Sequence, residues 1–447
     1  MQNLIPYVVA IPDKYINEAD RRLGGAIYKK AGRRFFREVL GNQVASRILY
    51  LASDTAILDR HYASSRLIIR DYDYLPLAVA HGLTPKELDI ISRHTDVIKD
   101  SILEVDNSED DKHNGAEADR NLKGFEQRLL AMTANELRDW AQSGQSAGQD
   151  AVQRPWHLDQ INARAVRFPS KGRSPCLGKG SRIILIDFGI NVQHPLLNGV
   201  NIIDYVEIPS DLRTPIRRAI PISQRRDLHG NGGHGTFVAS LMVSDQLGLA
   251  PEAELVVAAL EPIEGTTNRI RLTQLLDALR WSAEYLDKHN CAEQTAAVNM
   301  SLEFSQRDPT IERYLEILRR ARQTLPVAAS GNHGRLAFPA RVPEVLSVGA
   351  VDVGRVIWPQ SGRDDVEPLL YAPGVNVLGA HSGGGVEVRS GTSYSSALVS
   401  AAAALSVSAD RRLGGNSDEL KGLLLSDAVS RPLPCGARAL DFSNFWA

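Results

Sequence analysis

Four residues with chemically useful side chains stand, in the order Asp187, His234, Asn332 and Ser393, where short apolar runs give way to glycine. Asp187 closes the run in Ile-Leu-Ile-Asp-Phe-Gly-Ile. The Asp-Phe-Gly triplet also occurs as a kinase magnesium motif, but no Val-Ala-Ile-Lys-like strand or His-Arg-Asp loop precedes it, which excludes that reading. His234 lies in His-Gly-Asn-Gly-Gly-His-Gly-Thr-Phe-Val-Ala-Ser-Leu-Met-Val, a glycine-rich approach to an apolar helix that suits presentation of an imidazole to a cleft. Gly230, Gly232 and Gly235 match a dinucleotide-binding spacing, yet Gln224 to Asp227 before them is charged rather than strand-like, so the required strand-turn-helix context is missing. Ser393 opens a helix of small residues, Ser-Gly-Thr-Ser-Tyr-Ser-Ser-Ala-Leu-Val-Ser-Ala-Ala-Ala-Ala-Leu. Taken alone it reads as an N-cap; the alanines behind it let the helix pack deeply, and the helix start aims free N–H groups at whatever binds beside the hydroxyl. Asn332, in Ala-Ser-Gly-Asn-His-Gly, follows another apolar run, where its amide is suited to donate to a developing oxyanion.

Continuous apolar runs at Arg182 to Ile186, Leu255 to Leu260, Ala296 to Met300, Leu325 to Ala329 and Val345 to Val351 predict parallel strands covered on both faces. Helical periodicity over Gln274 to Leu286 and Thr310 to Thr324, between those runs, fits right-handed crossovers. The fold class predicted is α/β, an open, mainly parallel sheet with helices on both faces, plus a small α+β amino-terminal module. Ligands of such sheets bind at the carboxyl ends of the strands.

Three regions divide the chain. Residues 1–107 form the small module, with apolar runs at Leu4 to Ile11, Arg47 to Ala52, Ser65 to Ile69, Leu75 to Ala80 and Ile98 to Val105. It has a charged helical stretch from Asn17 to Val39 and a second helix start at Thr84-Pro85-Lys86-Glu87, a capping box. Residues 108–153 are a polar linker with one helix expected between about Asp119 and Gln142. Its acidic run, Glu109 to Asp111, lacks the spaced ligands and turn glycine of a calcium loop and reads as a solvated face. Residues 154–447 carry the four singled-out side chains.

The ordered set Asp187, His234, Asn332 and Ser393 resembles the subtilisin-like serine protease family, in which the triad runs Asp, His, Ser. Supporting segments are similar: Arg-Pro-Trp-His-Leu-Asp-Gln-Ile-Asn-Ala at 154–163 looks like the start of the protease domain, and Met-Ser-Leu at 300–302 like its substrate-binding strand. Phe-Pro-Ala-Arg-Val-Pro-Glu-Val-Leu-Ser-Val-Gly-Ala-Val-Asp at 338–352 and Ala-Pro-Gly-Val at 372–375 extend the likeness. The resemblance implies a serine endopeptidase with catalytic Asp187, His234 and Ser393, oxyanion donor Asn332, and substrate-binding residues Ser301, Leu302 and Glu303. The amino-terminal module, chiefly Leu75 to Asp106, resembles the family's inhibitory propeptide and implies a zymogen. Four positions depart from the family pattern: Phe188, where Ser or Thr is usual, Phe237 for a second histidine, Glu303 for a glycine, and Ala397 for a proline. A peptide macrocyclase or transpeptidase using the same triad, or a catalytically silent scaffold with an amino-terminal interaction domain, are the alternatives.

Composition sets the remaining bounds. Lys and Arg number 51 against 53 Asp and Glu, a formal charge of -2, too even for the basic field that nucleic acid or an anionic membrane demands. The expected partners are a polypeptide substrate and the chain's own amino-terminal module, with no nucleic acid and no membrane. Cys176, Cys291 and Cys435 are few, odd in number and far apart, which suits a reducing compartment. With neither a secretory leader pattern at MQNLIPYVVAIPDKY nor an 18-residue apolar run, a cytoplasmic location is expected. No cofactor is required for the chemistry; structural calcium is left open.

Overall fold

The computed structural model describes residues 155–446 apart from short stretches at 170–173, 212–215, 218–219, 229–232, 290, 292, 305–306 and 364–367. Of the first 154 residues it describes 7–12, 28–45, 48–51, 67–71, 77–81, 83–95, 97–99, 102–104 and 124–142. Gly230 and Gly232, the acidic run Glu109 to Asp111, and residues 17–27 of the expected first helix fall outside these residues.

At the amino-terminal end, β1 (Tyr7–Ala10), β2 (Ile48–Leu51), β3 (Leu67–Asp71), β4 (Leu77–His81) and β5 (Val97–Lys99) form a sheet in the order β2-β3-β4-β1-β5. The β2–β3 pair is parallel and the others antiparallel. Alternation sorts its side chains: Val9, Leu67, Ile69, Ala78 and Ala80 pack with Phe35, Phe36 and Ile91 of helices α1 (Tyr28–Ala45) and α2 (Pro85–Ser92), whereas Val8 and Val79 join the core of the larger unit. The capping box forms at α2, where Thr84 Oγ1 accepts from Glu87 N–H and the Glu87 carboxylate accepts from Thr84 N–H at 2.8 Å. Helix α1 runs past Val39 because Leu40 and Val44 still meet the core, with a break at Gly41, whose φ is 77°. The apolar run at Ile98 to Val105 splits into β5 and a separate strand, β6 (Ile102–Glu104).

Two helices, α3 (Gly124–Ala131) and α4 (Ala134–Gln142), stand where a single one is expected. They divide at Thr133, whose hydroxyl accepts from Glu136 N–H while the Glu136 carboxylate accepts from Thr133 N–H at 2.8 Å. Residues Leu129 and Leu137 are buried against Leu196, Leu247, Leu378 and Ala380.

The larger sheet comprises β7 (Arg182–Asp187), β8 (Ile202–Ile208), β9 (Glu254–Leu260), β11 (Thr295–Met300), β12 (Leu325–Ala329), β13 (Leu346–Val351), β14 (Leu370–Pro373), β17 (Ser430–Pro432) and β18 (Arg438–Leu440). Its order is β17-β18-β14-β13-β12-β11-β7-β9-β8, parallel except for the β17–β18 pair. The strands are apolar without alternation because both faces are covered. Ile183, Leu185, Leu255 and Val257 face one core with helices α5 (His234–Val243) and α8 (Thr392–Ala409). Ile184, Ile186, Val256 and Ala258 face the other, with α6 (Leu272–His289) and α7 (Pro309–Arg322). The fold class is therefore α/β, as expected. Short strand β10 (Arg269–Arg271) leads into α6 and pairs antiparallel with β6; β15 (Val377–Ala380) and β16 (Val386–Arg389) form a hairpin that leads into α8. A last helix, α9 (Ser417–Leu424), packs on the end of α8. No helix among the described residues is long and apolar enough to cross a membrane.

Candidate active site

Helices α5 and α8 pack against one another on the same face of the sheet, which brings their amino termini to the carboxyl ends of β7, β11 and β12. Asp187 is the last residue of β7 and is fully buried. Its carboxylate accepts from Phe188 N–H at 2.8 Å, and Nδ1 of His234 lies 2.9 and 3.0 Å from its two oxygens. That contact requires a close approach of α5 to β7. A Cβ built on Gly235 would stand 2.1 Å from the Gly189 carbonyl oxygen, so only glycine lets the helix start so near the strand end. Gly233, the residue before the helix, has φ of 69°, and Asp227 holds the first turn by accepting from both the N–H and the hydroxyl of Thr236.

Ser393 is the second residue of α8 and is 6% exposed. Its hydroxyl donates to the Ser301 carbonyl at 3.1 Å, while the Ser301 hydroxyl donates to the Ser393 carbonyl at 3.0 Å. The substrate-strand candidate is thereby tied to the helix of the candidate nucleophile. The ring centroid of Tyr394, the residue after Ser393, lies 6.1 Å from that of His234, so the starts of α5 and α8 lie side by side. Asn332, just beyond β12, accepts through Oδ1 from the Thr392 N–H at 2.9 Å and from the Thr392 hydroxyl at 3.0 Å. With its oxygen so engaged, the NH2 of the amide is left as the group available to an incoming oxyanion.

The structure thus sets His234 against Asp187, and Ser301 and Asn332 against the start of α8 that carries Ser393. Leu302 is buried in the core beneath the cleft. Glu303 is 4% exposed, and its Oε1 stands 3.6 Å from Nε2 of His333, the residue after Asn332. A Cβ on Gly331 would lie 2.8 Å from Oε2, so the carboxylate rests against the turn that carries Asn332.

Sequence reasoning passed over three contributors. Thr392 orients Asn332, and its only signal was its place beside Ser393. Asp227 holds the first turn of α5, and it was read only as part of a charged stretch. The edge strand Arg269-Ile270-Arg271, with one apolar residue between two charged ones, pairs Ile270 with Leu103 of β6. The alternation was there to find, but three residues give it little weight.

Comparison with known proteins gives the same assignment of type. The subtilase family (Peptidase_S8) matches residues 178–442. Subtilisin-like protease PopC of Myxococcus xanthus is 30% identical over 280 residues, covering 57% of this chain and 57% of that protein. Subtilisin BL of Lederbergia lenta is 29% identical over 257 residues, covering 56% of this chain and 83% of that protein. Among solved structures, a cold-adapted subtilisin-like serine proteinase is 22% identical, with a TM-score of 0.49 and coverage of 64% of this chain and 98% of that one.

Proposed function

The chain belongs to the subtilase family, and on that premise we propose that it is a serine endopeptidase acting through an acyl-enzyme on Ser393. The observation that carries the reading is the Asp187–His234 contact, 2.9 Å at Nδ1, set in the same cleft as a serine at a helix start and an asparagine whose amide oxygen is already engaged. In the proposed reaction the Ser393 hydroxyl turns from the Ser301 carbonyl to the imidazole, Nε2 takes its proton, and Oγ attacks the peptide carbonyl. Asp187 keeps the proton on Nδ1 and stabilises the imidazolium. The Asn332 amide and the Ser393 N–H receive the oxyanion, and His234 then returns its proton to the leaving amine. No cofactor enters these steps, and the substrate is a polypeptide.

We further propose that residues 1–107 act as an inhibitory module. Support comes from the antiparallel pairing of Ile102–Glu104 with β10, from Val8 and Val79 in the larger unit's core, and from the buried pair between Arg70 and Asp277 of α6, 3.3 Å apart. Processing would then fall in the 108–153 linker, whose small-residue stretch Ser143 to Gly148 lies outside the described residues. The free cysteines, two buried and Cys435 exposed, favour a reducing, cytoplasmic setting. Fluorophosphonate labelling and peptide hydrolysis by the purified protein, compared with Ser393→Ala, test the activity. Undiminished hydrolysis by the variant would overturn it. Mass spectrometry of the same sample reports whether the active species has lost its amino-terminal module.

A further inference from the structure

The end of β14 and the turn that follows it grip the start of α8 on both sides of Ser393. Ahead of the serine, the Gly391 N–H donates to the Gly374 carbonyl at 2.8 Å. The Asn376 N–H donates to the Ser390 hydroxyl at 2.9 Å, and that hydroxyl donates to Asn376 Oδ1 at 3.3 Å. Beyond the serine, the Ser395 hydroxyl donates to the Ala372 and Pro373 carbonyls at 2.9 and 3.2 Å. A Cβ on Gly374 would stand 2.1 Å from Ser395 Oγ and 2.8 Å from the Gly391 carbonyl oxygen, so turn and helix are in direct contact. Asn376 has φ of 56°, a left-handed conformation that persists where the surroundings hold it. One hold comes from far away in the chain. Trp156, 2% exposed, donates from its indole Nε1 to the Asn376 carbonyl at 3.0 Å, and its own N–H donates to the Glu126 carboxylate of α3 at 3.3 Å. Glu126 is wholly buried, and Leu129 of the same helix is seated, with Leu137 of α4, on Leu378 and Ala380 of β15. Hydrogen bonds therefore run from α3 through Trp156 and Asn376 to Ser390, three residues before the candidate nucleophile.

We propose that Trp156 is a positioning residue for Ser393: seated by Glu126, it fixes the 374–376 turn and, through that turn, the backbone from which the serine hydroxyl and N–H are presented. This rests on the endopeptidase reading of the site. Neither Trp156 nor Glu126 meets substrate in this role. Their effect is on how closely Oγ and the oxyanion-binding N–H keep to the productive geometry, where a small displacement lowers rate rather than affinity. Helix α3 is then a working part of the catalytic unit, although the sequence around it reads as linker.

Two single variants and their combination separate this role from general damage to the fold. Trp156→Phe keeps a buried ring and deletes the indole donor; Ser390→Ala deletes the last link. In steady-state kinetics on a fluorogenic peptide each lowers kcat by about five- to tenfold, the scale of one lost neutral hydrogen bond, with KM within about twofold of wild type. The double variant loses about as much as the larger single loss, because both substitutions break one chain of contacts, whereas independent contributions would multiply. In the Ser393→Ala background, where turnover plays no part, Trp156→Phe also speeds hydrogen exchange of peptides covering 374–378 and 388–395. A kcat loss that does not multiply, with faster exchange at the turn, supports the role. Unchanged kcat, a rise in KM alone, multiplying losses or unchanged exchange would each overturn it. Should Trp156→Phe fail to fold, Glu126→Leu, which fills a similar volume without an acceptor, takes its place in the same cycle. Should the wild type neither hydrolyse peptides nor take a fluorophosphonate, the endopeptidase reading fails, while the exchange measurement still decides whether Trp156 holds the turn.

Discussion

Acidification will loosen the amino-terminal sheet through one residue, His81. It ends β4 opposite Ile68 of β3, is 1% exposed, and has no hydrogen-bond partner at either ring nitrogen among the described residues. Burial, and secondarily the nearby Arg70 guanidinium, lower it from the ordinary 6.5 to about 3. The direction of the linkage follows. Between pH 6.5 and 3 the opened chain takes up a proton that the folded sheet excludes, so the stability contributed by neutral His81 is complete above 6.5 and declines as pH falls. The decline is about 1.4 kcal/mol per pH unit, so at pH 5 it amounts to about 2 kcal/mol, or roughly a 30-fold rise in the open population. His81→Leu replaces an unpartnered buried ring with an apolar group and removes this dependence. Hydrogen exchange of peptides covering 67–81, measured at pH 7 and pH 5 in the Ser393→Ala background, reads the opening directly. His157 and His194, which burial lowers to about 4, titrate in both proteins and cancel in the difference. The reasoning is refuted if wild type and His81→Leu lose protection equally between the two pH values.

Three further outcomes are expected at the cleft. Asn332→Ala lowers kcat by about 100- to 1,000-fold with little change in KM, a range taken from removal of such a donor in subtilisin rather than worked from this geometry; steady-state kinetics check it. Gly235→Ala drives a methyl group into the Gly189 carbonyl and moves His234 off Asp187, so activity falls by at least about 100-fold while circular dichroism still reports a folded chain. Glu303→Gln changes the preference for Lys or Arg in a peptide library by no more than several-fold, because His333 already stands beside the carboxylate and a partly exposed pair contributes only about 0.5 to 1 kcal/mol. A tenfold or greater loss of basic preference would assign Glu303 a dominant part in specificity.

The central strands were legible because burial on both faces leaves an unbroken apolar run, as in Ile183 to Ile186. Strand β8 was not, since Asp204 and Glu207 interrupt it and its early residues remain partly exposed. The candidate site residues stand out in the sequence because each sits at an abrupt change from apolar residues to glycine, a change imposed by the need to end a strand or start a helix in a confined space. What escaped was everything that depends on contact between distant segments. Nothing in Val-Glu-Val-Arg says that its arginine will lie on Phe237, and nothing in Phe-Glu-Gln-Arg says that Glu126 will be wholly buried, accepting from the Trp156 N–H. The single helix expected over 119–142 failed for a local reason: Thr133 and Glu136 cap a new helix in mid-run, a signal recognised at Thr84 but not here.

The paired helices α3 and α4 make the position of any activating cut matter as much as its occurrence. Scission between residues 108 and 123 would free the five-stranded unit together with β6 and leave both helices on the larger product, lying over the hairpin that leads into α8. Scission beyond 142 would carry them off as well, uncovering Leu196, Leu247 and Leu378 and withdrawing Glu126 from Trp156. The first product keeps a sealed flank. The second exposes an apolar patch beside α5 and the hairpin, suited to association with itself or with a replacement cover. If the chain is processed as proposed, the place of the cut therefore decides whether that flank is covered or bare.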